Sequence, residues 1–142
     1  MKINKDLVIE DTNTSLEDIT DELSHLKPYV LYENETSASS TTSYTLSDSA
    51  ANYKYLEIFY ANNNYANMYL YNKVSNPNGK TVNLFSCGVG EDNGATLWIC
   101  SGRYSISNKT ISKVYEYGYR LTNGNWGLGG SIHAIRKVVG YK

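Results

Sequence analysis

Few residue types in this chain are spaced for covalent chemistry, and those that could do it are scattered. Glu57, Glu91, Asp92 and Glu116 are the carboxylates that could in principle act as a glycosidase acid and base. Isolated carboxylates on β-turns are ordinarily just solvated, and no nucleophile elbow, phosphate loop or zinc-protease motif accompanies them, so the sequence argues against an enzyme. His25 and His133 are far apart, with two cysteines and no ligand spacing, so no metal or cofactor is expected. The chemistry that the composition does suit is sugar recognition: flat rings pack on pyranose faces, while amides and hydroxyls bond to hydroxyl groups. The best candidates sit on turns, Asn63 and Tyr65 in one and Asn123 and Trp126 in another. For Trp126 the competing reading is an indole that anchors its loop in the core.

Positioning these groups falls to β-structure. The stretch 53–71, YKYLEIFYANNNYANMYLY, alternates with a period of two on both sides of Asn62-Asn63-Asn64, which reads as a hairpin. Leu56, Ile58 and Tyr60 share one face and should fill a core. Tyr55, Glu57 and Phe59 lie on the other, which should meet a ligand or another subunit. Further strands are expected over 29–32, 44–46, 81–89, 95–103, 111–121 and 131–139, with turns at Asn76-Pro77-Asn78-Gly79, Asn93-Gly94 and Asn123-Gly124. WGLGG at 126–130 reads as a loop, and 34–42 as a polar loop without an apolar anchor. So many short strands point to an antiparallel β-sandwich, jelly-roll-like, over residues 28–142.

Residues 1–27 read differently. A short strand at Leu7-Val8-Ile9 precedes a helix that should begin near Ser15, since Thr14 and Glu17 have the form of a capping box, and should end at Lys27-Pro28. Leu16, Ile19, Leu23 and Leu26 make an a/d seam of less than two heptads. That seam fits either a single helix laid on the sandwich or a short trimeric neck.

The two cysteines fall in the Asn93-Gly94 hairpin. A two-residue loop there sets Cys87 against Cys100 at a non-hydrogen-bonded pair, within disulfide range; a four-residue loop sets Cys87 against Trp98 instead. Synthesis in the cytoplasm favours two buried thiols over a bridge. In the two-residue register Phe85, Cys87, Val89, Trp98 and Cys100 share one face, and Leu84, Leu97 and Ile99 the other. A strand pair apolar on both sides requires cover, from its own chain or from another subunit.

Composition narrows the partners. The net charge of -1, with no run of Lys or Arg, is against nucleic acid. No apolar stretch is long enough for a membrane helix, and the N-terminus lacks a signal-peptide core, so export by a signal peptide is not expected. The N-glycosylation patterns at Asn13, Asn34 and Asn108 then carry no modification.

Four segments together, KDLVIEDTNTSLEDI (5–19), TLSDSAANYKYLEIFY (45–60), NPNGK (76–80) and IRKVVGYK (135–142), resemble small tail-fibre or receptor-binding-type structural proteins of phages and prophages of Firmicutes and other gut bacteria. The resemblance implies a homotrimeric virion protein whose N-terminal segment trimerises or attaches to other virion proteins and whose β-domain forms the head. It places no binding residues. A head contacting a host cell-surface polysaccharide is one expectation; a non-adhesive capsid fibre or spacer, or a carbohydrate-binding module, are the alternatives.

Overall fold

The computed structural model describes residues 8–9, 14–15, 20, 23, 26–37, 40–62, 65–90, 96–122, 125–129 and 133–142. Near the N-terminus, β1 (Val8–Ile9) pairs antiparallel with β2 (Thr14–Ser15). Ser15 is therefore extended, and a helix starting there is corrected: pairing with Val8 holds the residue after Thr14 in the sheet. Leu16 and Ile19 lie outside the described residues. Thr20 and Leu23 are helical, and Leu23 and Leu26 are exposed.

From Tyr29 onward the chain forms the antiparallel β-sandwich that the turn frequency implied. One sheet has the order β3 (Tyr29–Glu33), β11 (His133–Tyr141), β5 (Tyr55–Asn62), β6 (Tyr65–Ser75). The other runs β10 (Asn125–Gly129), β9 (Thr110–Thr122), β8 (Thr96–Ser107), β7 (Thr81–Gly90), with β4 (Ser43–Thr45) also on β9. Between them Leu31, Leu56, Ile58, Tyr60, Ile135 and Val138 of the first sheet meet Tyr44, Val82, Leu84, Tyr104, Ile106 and Ile111 of the second. The alternation in β5 thus behaves as its period dictates: Leu56, Ile58 and Tyr60 are buried, while Tyr55, Glu57 and Phe59 reach the outer surface.

Turn chemistry closes the strands. At the Asn76-Pro77-Asn78-Gly79 turn Asn76 takes φ 48° and Gly79 φ 75°, and Gly79 N–H donates to the Ile106 carbonyl at 2.8 Å. Asn108 takes φ 48° in the two-residue connection between Ser107 and Thr110, a tight hairpin that extends β8 past its expected end at Arg103. Thr122 pairs with Asn125, as a two-residue Asn123-Gly124 turn requires. WGLGG is not a loop over its first four residues: Trp126 pairs with Leu121 and Leu128 with Tyr119. Glycine weakens a strand, but a two-residue turn and the long neighbour β9 hold this one in register. The polar loop after β3 has anchors of its own. Asn34 N–H donates to the Arg136 carbonyl at 2.8 Å, the Arg136 guanidinium bonds to the Glu35 carbonyl, and Ser37 is buried against the Tyr32 hydroxyl.

The cysteine hairpin differs from both expected registers. Cys87 pairs with Ile99 and Ser86 with Cys100, leaving five residues between the last pair, Gly90 and Thr96. A one-residue slip moves a strand's whole side-chain set to the other face. Leu84 therefore lies with Trp98 and Cys100 on the inner side, and Phe85 and Cys87 lie with Leu97 and Ile99 on the outer side. Cys100 is buried, whereas Cys87 is exposed, not buried as expected; both are free thiols. Because their side chains leave opposite faces, no bridge can form within the domain. The melting temperature is accordingly expected to be the same with and without a thiol reductant; a fall on reduction would place the two sulfurs together.

Candidate functional site

Three regions hold the groups that could act. The first is the outer face of β5, β6 and β11, the tyrosine face. Tyr55 stacks on Tyr141 with centroids 4.5 Å apart, and Lys73 Nζ lies 3.6 Å from the centre of the Tyr55 ring. The Tyr141 hydroxyl donates to Glu57 Oε2 at 3.0 Å. Two rungs along, Phe59 stacks on its cross-strand partner Tyr71 at 5.9 Å, and Tyr71 is 59% exposed. This pattern follows from the outward positions of β5 and β6: Glu57 opposes Lys73 and Phe59 opposes Tyr71. The result is rings with wet hydroxyls and charges between them, a surface that tolerates water and offers both stacking and hydrogen bonds.

The second region is the outer face of β7, β8 and β9. Phe85, Ser101 and Tyr117 form one rung; Cys87, Ile99 and Tyr119 the next; Asn83, Arg103 and Tyr115 the one on the other side. Tyr115 and Tyr117 have centroids 5.4 Å apart. The alternation of tyrosines at 115, 117 and 119 was available in the sequence, and is the signal that could have marked this face.

The third region is inside. His133, fully buried, begins β11, and its Nε2 lies 2.8 Å from Ser86 Oγ of β7. Its Nδ1 lies 2.8 Å from Oε1 of Glu116 on β9, off the line of the ring N–H, and its backbone N–H donates to the same oxygen at 2.8 Å. Lys113 Nζ, three residues earlier on the same strand, reaches Oε2 at 2.9 Å, and the Tyr104 hydroxyl donates to Oε1 at 3.3 Å. Asn62 Nδ2 donates to Ser86 Oγ at 3.2 Å. Gly102 makes the room: a Cβ there would lie 2.9 Å from the Tyr104 ring and 3.3 Å from Glu116 Oε1. Burial alone would raise the Glu116 carboxyl, but hydrogen bonds from His133 and Lys113 and the Lys113 charge outweigh it and hold the group down at about 2. Burial pushes the Cys100 thiol up, against hydrogen bonds from Ser86 and Asn62.

The order serine, imidazole, carboxylate is that of an acyl-transfer relay. Here Ser86 and Asn62 are themselves buried, so the hydroxyl faces protein on every described side. What the arrangement does is tie β5, β7, β9 and β11 together across the two sheets. Sequence reasoning noted His133 and Glu116 only singly, because His133 lies 17 residues from Glu116 and 47 from Ser86.

Of the turn candidates, Asn63 and Asn123 lie outside the described residues. Tyr65 pairs with Asn62 and Trp126 with Leu121, so both leave the loops in which they were placed and stand in strands. Asn62, the last described residue before the first turn, pairs with His133, whereas Tyr29 pairs with Gly140 at the opposite end of β11. Among the described residues no group of three or more His, Cys, Asp or Glu could hold a metal ion. Comparison with protein-family models and with curated proteins finds no match to this chain.

Proposed function

We propose that the chain is the head of a homotrimeric phage fibre that contacts a bacterial surface polysaccharide through many weak contacts. The N-terminal segment would attach it to other virion proteins. The nesting of β3 beside β11 and of β4 beside β9 supports a jelly-roll-like head. The observation that carries the reading is the tyrosine face, where Tyr71, Phe59, Tyr55 and Tyr141 alternate with Glu57 and Lys73. Such a face stacks on sugar rings and bonds to hydroxyls without a deep pocket, and threefold presentation raises avidity without strong single sites.

The test is adhesion to host cells or to purified wall polysaccharide. Tyr71→Ala is expected to reduce binding at least tenfold while shifting the melting temperature little, because the ring is mostly in solvent. Periodate treatment of the cells should abolish binding by the parent protein. An intact trimer that adheres to no host cell would instead make the chain a spacer or capsid fibre.

A further inference from the structure

The outer face of β7–β9 differs in kind from the tyrosine face. Phe85 and Tyr117 are each 54% exposed on one rung, with Tyr115 and Tyr119 close to half exposed beside them. Across the three rungs Arg103 is the one charged side chain, and there is no carboxylate. Rings and aliphatic side chains with a lone arginine, and with lysine and acids absent, are the composition of the buried centre of a protein interface. No described segment of the chain covers them: the inner side of the same strands already packs on the other sheet.

We infer that this face is where a second copy of the chain docks. This inference rests on the trimeric reading above and names the surface that holds the trimer. The occupant follows from the surface itself. A half-exposed ring of this size presents roughly 100 Å², so four of them supply about half of the ~800 Å² per partner that a stable interface buries. Flanking Val114, exposed on the β9 bulge, and half-buried Ile99 extend the same field. The face also carries both halves of the head-to-tail contact that a threefold ring repeats, since the Arg103 guanidinium of one copy can lie on a tyrosine ring of the next without needing an acidic partner. A polysaccharide would leave Phe85 and Ile99 against hydroxyl groups.

The test uses the full chain and light scattering across concentrations. The parent protein is expected to run as a multiple of the 15.9 kDa chain. Phe85→Asp and Tyr117→Asp, both at exposed positions, are expected to run as monomers with unchanged far-ultraviolet circular dichroism. Cys87 lies on this face, so its alkylation by a maleimide should slow at least tenfold as the parent assembles, a readout that survives if either variant misfolds. A monomeric parent overturns both this inference and the trimeric reading. An assembled parent with assembled variants, or with Cys87 labelled equally fast at all concentrations, overturns the surface alone and moves the contact to the N-terminal segment.

Discussion

Glu116→Ala is expected to cost about 3–5 kcal/mol and to lower the melting temperature by on the order of 10 °C. The carboxylate is buried and faces Lys113 and His133 at 2.9 and 2.8 Å, so removing it leaves buried donors and a buried cation without that counter-charge. Glu116→Gln keeps the shape and loses the charge, and should cost less. The same group sets an acid limit. Its folded value of about 2 lies below the ordinary 4.5, so its stabilisation is present above pH ~4.5 and is lost as pH falls towards 2. That difference is worth about 3 kcal/mol. Urea unfolding at pH 7 and pH 3 checks it: the parent should lose about 2 kcal/mol of that stability between the two, the rest going only below pH 3, and Glu116→Gln should lose much less. Equal pH dependence in parent and variant would show that other carboxylates set the acid limit.

The second large effect is expected at Gly140. A Cβ there would lie 2.5 to 2.8 Å from three atoms of the Tyr53 ring. Tyr53 cannot swing clear cheaply: it is buried, and its hydroxyl donates to Asp48 Oδ2 at 3.0 Å. Burial and this bond to Asp48 also push the phenol up to about 12. Gly140→Ala is therefore expected to destabilise by about 1–3 kcal/mol, the range for overpacking, and Gly140→Val by more. Tyr53→Ala combined with Gly140→Ala should recover part of the packing strain, which double-mutant unfolding would measure as a favourable coupling. Additive losses would mean that the ring is not what the new methyl meets.

How the β-strands read in the sequence explains why some of this was foreseeable. Leu56, Ile58 and Tyr60 declare an inner face by period alone, and Asn76-Pro77-Asn78-Gly79 declares its turn by the residues that tolerate its dihedrals. Those are local properties, written within a few positions of each other. The glycines of 126–130 misled for a related reason: their loop preference is local, while the pairing of Trp126 with Leu121 and Leu128 with Tyr119 is supplied by a neighbouring strand.

By itself, then, the sequence determined the class of structure, most strand positions, the tight turns and the side of β5 that is buried, because burial and turn dihedrals act on adjacent residues. Only the tertiary structure decided which face of the β7–β8 hairpin points inward. That strand pair is apolar on both sides, so its period leaves the register free, and contact of Leu84 and Tyr104 with the opposite sheet sets it. The same step put Cys87 outside and Cys100 inside. It also brought Ser86, Glu116 and His133 together from three strands, a meeting that no spacing encodes because it depends on the stacking of two sheets.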